Sequence, residues 1–195
     1  MIYQSIWYHT RLPENIINII EEDLKYHDMM LQPATVGNRN HYDDDNKEDI
    51  RKRKSKVSWT PKNHWIHGFC YHYILEANLS NFNYDIFGFQ NQVMQYTVYN
   101  EGEYYGWHFD DEITAGIEID NSMKRKLSFS LQLSDSTDYD GGIMQIRSFE
   151  DHLYEVPKEK GVIVIFDSRA RHRVTKVKRG CRKSLVGWIG GPKWK

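Results

Sequence analysis

Apolar positions change their spacing near residue 85, and that change divides the chain into two parts. Within 13–25, isoleucines and a leucine recur at helical spacing with acidic residues between them, which predicts an amphipathic helix. A second helix is predicted from Thr60 to about Ser80, because threonine is a good N-cap and Pro61 suits the first helical position. The first part is therefore expected to be mainly a helical layer.

From residue 85 onward, apolar and polar residues alternate with period two, as in half-buried strands. Candidate strands lie at 86–89, 92–99, 104–110, 125–133, 142–147, 153–156, 161–167, 171–177 and 182–189. Many short strands with glycine and Asp/Asn turns between them predict a sandwich or barrel. We expect a single domain over 1–195, with a helical support layer and a charged loop in 1–84 and an all-β core in 85–195.

The segment 33–56 differs in composition from its surroundings. Three consecutive aspartates at 43–45 precede five basic residues within 51–56. One interpretation is a solvated surface loop, which is the usual role of such a charge run. The other is that 37–56 form a mobile flap beside an active site, since long loops are often functional.

Charge and cysteine content narrow the classes of protein that fit. The 195 residues carry 26 Lys plus Arg and 27 Asp plus Glu, a formal charge of −1, which disfavours non-specific binding to nucleic acid. No apolar run approaches 18 residues, so a membrane span is not expected. The N-terminal residues lack the features of a signal peptide. Two distant cysteines, Cys70 and Cys181, do not suggest a disulfide scaffold, so a cytoplasmic location is expected.

His108 and Asp110 are the first candidates for chemistry. They are two positions apart in a predicted strand, and such residues point to the same face. One imidazole and one carboxylate can therefore meet a single ion. The spacing also arises often by chance, so a polar strand end is the alternative interpretation.

His172 is the second candidate, because it follows an unbroken apolar strand at 161–166 and a short polar loop. Two histidines and one carboxylate on a β scaffold make the facial triad of non-haem Fe(II) oxygenases, which leaves coordination positions open. Zinc is more commonly held tetrahedrally, with at most one open position.

Arg182 favours iron over zinc in this comparison. It opens the strand 182–189, ten residues after His172, and an arginine fork pairs bidentately with a carboxylate. An iron enzyme that uses a 2-oxo acid needs such a partner for the distal carboxylate, and Ser184 shares the same strand face. In the alternative interpretation, Arg182 belongs to an exposed basic cluster with its neighbours in 171–183.

From about Gln92 to Pro192, these motifs occur in the order found in a known family. The chain resembles the Fe(II)- and 2-oxoglutarate-dependent dioxygenases, in the prolyl 4-hydroxylase-like branch. The matching segments are the tyrosine–glycine–HxD stretch at 95–110, the strand 125–134 with its double-glycine turn at 139–142, the distal-histidine stretch at 160–177 and the co-substrate strand 180–188 with Gly191-Pro192.

The resemblance implies a mainly β, α+β fold: a double-stranded β-helix (jelly-roll, cupin-like) core with N-terminal helices packed on one sheet. It implies that His108, Asp110 and His172 bind Fe(II) and that Arg182 grips the distal carboxylate of 2-oxoglutarate. Tyr99 occupies the position of a tyrosine that contacts the co-substrate, with a plain core aromatic as its alternative.

The resemblance also implies hydroxylation of a substrate by O₂, with decarboxylation of 2-oxoglutarate to succinate and CO₂ and with ascorbate as a candidate reductant. Trp188 occupies the position of a tryptophan near the iron pocket, where it is expected to contact substrate; a simple core residue is the alternative. The favoured substrate is a prolyl residue in a protein or peptide. Tyr104, Tyr105 and Trp107, beside the metal strand, are candidates for an apolar wall against its ring.

Three alternatives remain at this point. The first concerns the substrate: collagen-type members have lysine at the position of Arg182, and residues 33–56 contain no motif of the family. Hydroxylation of another amino-acid side chain is therefore an alternative. The second alternative is repair of alkylated nucleic acid by the same chemistry. The family branch with that activity has a further arginine in the last strand, which is missing from 182–188. The third is a non-catalytic, cupin-like module that binds a metal or ligand without turnover. The oligomeric state is left open.

Overall fold

The computed structural model describes residues 5–35, 53–111 and 123–194. Two α-helices occur in these residues, α1 (Glu14–Leu24) and α2 (Ile66–Ala77). The strands are β1 (Trp7–Arg11), β2 (Gln32–Pro33), β3 (Arg53–Lys54), β4 (Lys56–Trp59), β5 (Gly88–Phe89), β6 (Gln95–Tyr99), β7 (Tyr104–His108), β8 (Lys124–Gln132), β9 (Tyr139–Gly141), β10 (Met144–Arg147), β11 (Leu153–Glu155), β12 (Val162–Asp167), β13 (Arg171–Val174), β14 (Val177–Gly180) and β15 (Arg182–Gly191).

The strands form two main antiparallel sheets. The larger sheet has the order β1-β12-β8-β15-β6-β4-β2, and β5 also pairs with β15. The smaller sheet has the order β11-β10-β13-β7-β3, and β14 pairs separately with β9. The predicted mainly β core is confirmed, and sequence-distant strands lie side by side in it, as in a jelly roll.

Alternation along β12 shows how the layers are arranged. Ile163 and Ile165 belong to the core that includes Ile17 of α1, so this face of the larger sheet is covered by helices. Val164 and Phe166 belong instead to a second core, which they share with residues of β10 in the smaller sheet. The strand is apolar from Val162 to Phe166 because both of its faces are buried.

The N-terminal part contributes strands as well as helices, and the sequence predicts one of these strands, Lys56–Trp59, which is confirmed as β4. β1 pairs with β12 along its whole length, from Trp7 opposite Phe166 to Arg11 opposite Val162. β2 and β4 extend the larger sheet, and β3 joins the smaller one. β1, β2 and β3 are short and their partners are distant in sequence, so no local periodicity marks these three strands.

The second helix starts later than predicted, at Ile66. Thr60 does not cap it, because its hydroxyl accepts the backbone N–H of Met94 at 3.0 Å and donates to the carbonyl of Met94 at 3.3 Å. These two bonds tie the chain before the helix to the residue before β6. The predicted N-cap was therefore wrong.

The predicted strand at 171–177 is two strands, because the chain leaves the smaller sheet after β13 and pairs with β9 through β14. The predicted flap at 37–56 lies mostly outside the described residues, and only its last residues are seen, in β3 and at the start of β4. No helix in the described ranges has the length and apolar character needed to cross a membrane.

Candidate active site

The ends of two neighbouring strands bring His108 and His172 together. β7 ends at His108, and the antiparallel register of β7 and β13 places His172 directly opposite it, with the ring centres 4.1 Å apart. Asp110 follows β7, and its backbone N–H donates to the carbonyl of Ser168 at 3.0 Å. One ligand atom from each of the three side chains lies within 4.8 Å of the others. The structure thus gathers the three residues that the sequence singled out.

Backbone carbonyls orient both imidazoles. His108 Nδ1 is 2.8 Å from the carbonyl oxygen of Gly106, and His172 Nδ1 is 2.9 Å from that of Ala170. Each Nδ1–H therefore donates to a carbonyl, which leaves the Nε2 lone pair free as a ligand. The Nε2 atoms of His108 and His172 lie 3.7 Å and 3.4 Å from the two Asp110 carboxylate oxygens. This donor set fits a site with two histidines and one carboxylate.

The protonation states of the cluster suit metal binding. Burial, and to a lesser extent the nearby His172, lower the pKa of His108 to about 3. For Asp110, burial alone raises the pKa, but the two imidazoles outweigh it and hold the pKa below its usual range. At neutral pH, a neutral His108 imidazole and an ionised carboxylate are therefore presented, as metal ligation requires.

A stack of side chains supports His108 from the side. The Tyr105 ring lies parallel to the His108 ring, with centres 3.6 Å apart and planes at 13°. The Arg53 guanidinium lies 4.6 Å from the centre of the Tyr105 ring, since β3 pairs Arg53 with Tyr105. Arg53 is buried and was not singled out in the sequence, where it follows a long charged segment without any motif. The tyrosine predicted to form an apolar wall thus contacts a candidate metal ligand directly.

The inner face of the larger sheet is polar over three adjacent strands, β8, β15 and β6, whereas the inner face of β12 is apolar. In these three strands the apolar residues face the helices, and the alternate positions carry buried polar side chains. These are Gln95, Thr97, Ser128, Ser130, Gln132 and Ser184. Several of these groups are hydrogen-bonded within the protein, as burial requires: Gln95 donates to the Thr97 hydroxyl at 2.7 Å and Gln132 to the Tyr139 hydroxyl at 3.0 Å. Such an ordered polar wall suits a polar ligand.

Arg182 lies in the pocket at this wall. It is only 3% exposed, its Nη1 donates to the Ser184 hydroxyl at 3.1 Å, and Ser130, Gln132 and Tyr139 line the same pocket. Within the described ranges, no carboxylate forms an ion pair with it. A buried guanidinium without an anion is costly, so the pocket fits a ligand carboxylate. The alternative of an exposed basic cluster is excluded for Arg182 by its burial.

The double-glycine turn shapes this pocket. Gly142 has φ +58°, and a Cβ there would lie 3.1 Å from the Tyr139 ring and 3.2 Å from Arg182 Cδ. Glycine therefore allows both the left-handed backbone and the close approach to the arginine.

Tyr99 and Trp188 occupy different positions around the site. Tyr99 is buried opposite Arg182 in the pairing of β6 and β15, and its ring centre is 5.5 Å from the guanidinium. Trp188 is half-buried, and the Arg125 guanidinium lies 4.4 Å from its ring centre. Arg125 also donates to the Asp110 carbonyl at 3.1 Å. Trp188 is thus connected to the metal cluster through one intermediate side chain.

Two further observations describe the surroundings of Trp188. Its ring centre lies 6.2 Å from that of Trp59, which is 48% exposed. The Trp188 Nε1 atom is buried and has no hydrogen-bond partner in the described parts of the chain. An indole N–H usually finds a partner when buried, so this donor is available to a ligand. Trp59 was missed from the sequence, because nothing local links it to Trp188.

Comparison with known proteins identifies relatives of the β core. The family model of the 2OG-Fe(II) oxygenase superfamily matches residues 94–190. A PKHD-type hydroxylase of Idiomarina loihiensis is 36% identical over 102 residues, which are 50% of this chain and 43% of that protein. A PKHD-type hydroxylase of Hyphomonas neptunium is 39% identical over 90 residues, which are 46% of this chain and 38% of that protein. The chain thus spans about two fifths of the length of these curated relatives.

Solved structures share the fold. A prolyl-4-hydroxylase of Pseudomonas putida superposes with a TM-score of 0.70 at 18% identity, covering 97% of this chain and 94% of that one. A prolyl hydroxylase of Trichoplax adhaerens, in complex with a peptide fragment of the hypoxia inducible factor oxygen degradation domain, gives 0.71 at 16% identity, covering 94% and 83%. Together with the motif order and the converging His-Asp-His cluster, these findings show that the chain belongs to the 2OG-Fe(II) oxygenase superfamily and shares its fold with solved prolyl hydroxylases.

Proposed function

We propose that this chain is an Fe(II)- and 2-oxoglutarate-dependent dioxygenase that hydroxylates a prolyl residue in a peptide or protein. The observation that carries the proposal is the buried Arg182, which pairs with no carboxylate of the described residues and is connected to the metal cluster by packed aromatic rings. Its guanidinium lies beside Tyr99, Tyr99 shares a core cluster with Tyr105, and Tyr105 stacks on His108. An arginine suited to a carboxylate, joined through two tyrosine rings to a metal-binding cluster, fits a chelating dicarboxylate.

The proposed roles follow from this arrangement. His108, Asp110 and His172 would hold Fe(II), and Arg182, with Ser184, would pair with the distal carboxylate of 2-oxoglutarate. When bound, iron and the 2-oxo acid supply the oxidising chemistry from O₂, yielding succinate and CO₂. The protein orients the reactants: the carbonyl-bound imidazoles keep Nε2 directed at the ion.

The prolyl substrate is supported by the relatives and by aromatic residues near the cluster. PKHD-type hydroxylases match the core, and one structural neighbour holds a peptide. Trp188 and the exposed Trp59 form an aromatic pair that a pyrrolidine ring can pack against, since aromatic rings offer large apolar contact areas. We assign Trp188 to the substrate side of the site.

Three further parts of the proposal concern the protein as a whole. We propose that 1–195 act as one catalytic domain, because strands from both parts of the chain build the same sheets. A cytoplasmic location is supported by two free thiols, Cys70 and Cys181. Ascorbate is proposed as the reductant that keeps iron ferrous, on the basis of the family resemblance.

The test is an oxygen-dependent succinate-release assay with a panel of proline-containing peptides. Mass spectrometry is expected to show the gain of one oxygen atom on a prolyl residue of the accepted peptide. His172→Ala should abolish both signals, whereas His152→Ala, at an exposed position, should leave them intact. Succinate release with no oxygen gained at any proline would contradict the prolyl substrate, and 2-oxoglutarate binding without any turnover would favour a binding module.

A further inference from the structure

The outer face of the smaller sheet carries three arginines around one indole. The guanidinium carbons of Arg147, Arg171 and Arg173 lie 5.2, 5.5 and 4.6 Å from the centre of the Trp107 ring. We call these four residues the Trp107 patch. They come from three adjacent strands, β10, β13 and β7, so the sheet itself holds them together.

The patch lies on the reverse side of the strands that bear the metal cluster. Trp107 directly precedes His108, and Arg171 and Arg173 flank His172, so their side chains point to the opposite face of the sheet. The patch also lies near the same strand ends, because β7 ends at His108 and β13 begins at Arg171. It is therefore placed at the rim of the sheet next to the metal.

The charges of the patch are poorly compensated. Asp151, whose side chain is 78% exposed, is the one described carboxylate that forms an ion pair with these arginines, at 2.7 Å from Arg147. Arg173 donates to the neutral Gln145 amide oxygen at 2.7 Å. Arg171 is exposed, and its side chain makes neither a hydrogen bond nor an ion pair with any residue that the structure describes. Like charges held together repel each other, and packing alone does not explain this surplus of positive charge.

The geometry favours carboxylates as the missing partners. Stacking on an indole preorganises a guanidinium, so its fork can pair bidentately with a carboxylate at less cost in entropy. Nucleic-acid bases would need an open aromatic face for stacking, whereas the Trp107 ring is already contacted by three guanidinium groups. The formal charge of −1 for the whole chain also disfavours a nucleic-acid partner.

We propose that the Trp107 patch is an exosite that binds an acidic segment of the protein substrate, beside the residue that is hydroxylated. This inference rests on the proposed function and specifies its substrate class. An extended chain spans about 3.3–3.6 Å per residue, so four residues cover about 13 Å. Acidic residues about three to six positions from the reacting residue can therefore reach around the rim. Exposed Phe109 and Leu153 next to the patch offer apolar contacts along that path.

Binding of a labelled peptide, without turnover, tests the exosite. The probe is a fluorescein-labelled peptide of glutamate and glycine that contains no proline, and fluorescence anisotropy is read at low and high salt. The perturbation is the double substitution Arg171→Gln with Arg173→Gln. The matched control removes two charges from exposed positions on β14, by Lys178→Gln with Arg179→Gln. A single-stranded oligothymidine of equal charge is the competing ligand.

The unaltered protein and the control are expected to bind the acidic peptide equally, with affinity that falls as salt rises. The patch variant is expected to bind about tenfold more weakly, since exposed charge pairs contribute modestly, while its melting temperature and iron binding stay unchanged. Equal binding by both double variants, no peptide binding by the unaltered protein, or a preference for oligothymidine would each overturn the proposal. Because the probe has no proline, these outcomes are independent of whether prolyl hydroxylation itself is found.

Discussion

Replacing Arg182 by methionine separates ligand binding from folding. The side chain is 3% exposed and has no ionic partner among the described residues, and its Nη1 donates a hydrogen bond to Ser184 on the same strand. Methionine has a similar length and is apolar, so Arg182→Met removes a buried charge and fills much the same volume. We therefore expect the free energy of unfolding to stay the same or to rise, while binding of 2-oxoglutarate is lost.

The size of the binding loss follows from the number of bonds. A hydrogen bond to a charged group contributes about 1.5–3 kcal/mol, and about 1.4 kcal/mol is a factor of ten in affinity. Losing a two-point fork is therefore expected to weaken 2-oxoglutarate binding by at least about a hundredfold. Arg182→Lys should be intermediate, because it retains the charge but loses the planar pairing.

The assay is calorimetric titration of 2-oxoglutarate into the iron-loaded protein without oxygen, alongside thermal melting. Arg179 and Lys183 are the controls, since both are paired at the surface, with Asp140 and Asp28. Replacing either by methionine is expected to leave the affinity within about threefold, because exposed pairs contribute little. Small and equal effects at 179, 182 and 183 would refute the assignment of Arg182 to the co-substrate.

Three other predictions test the site. His172→Ala is expected to abolish iron-dependent turnover and weaken iron binding, while His152→Ala leaves both unchanged, as measured by iron titration and succinate release. The metal-free protein is expected to become more stable as pH rises from about 3 to about 6.5, because folded His108 has a pKa of about 3 and binds fewer protons in that window than the same residue in the unfolded chain. Melting temperatures of His108→Gln should rise less steeply with pH, and an identical pH dependence would contradict the lowered pKa of His108. Gly142→Ala is expected to cost about 1–3 kcal/mol of stability through backbone strain and to weaken co-substrate binding. The control is Gly102→Ala, which has φ +80° but nothing within 4 Å of its Cβ, so it should lose stability and keep its affinity for 2-oxoglutarate. Equal binding of 2-oxoglutarate by the two variants would contradict the role of Gly142.

The core strands could be predicted because their pattern is local. β12 is an unbroken apolar run, and β8 and β15 alternate between helix-facing apolar and pocket-facing polar residues. Period two is a property of a single strand, so it is visible without any knowledge of the partners. His108 and Asp110 could be paired from their spacing of two, although β7 ends at His108 and Asp110 lies just beyond the predicted strand's observed end.

What the sequence could not show depends on pairing between distant segments. Arg53 reaches the cluster because β3 adds to the edge of β7, and Trp59 reaches Trp188 across the larger sheet. Neither residue lies in a motif, and the register that brings it to the site is set by the whole sheet. The prediction that Thr60 caps the second helix was wrong for a related reason. Its hydroxyl bonds to Met94, which is distant in sequence, instead of to the helix.

The pairing of β1 with β12 also determines how the protein meets other copies of itself. Without β1, the outermost strand of the larger sheet would be β12, whose six residues are all buried. Such an apolar edge with unpaired N–H and C=O groups is a template for adding strands from other molecules. β1 instead presents a shorter outer edge that includes His9 and Arg11, and polar or charged residues discourage such addition. Residues 7–11 therefore protect the molecule against aggregation, and their proteolytic removal would first be seen as a loss of solubility.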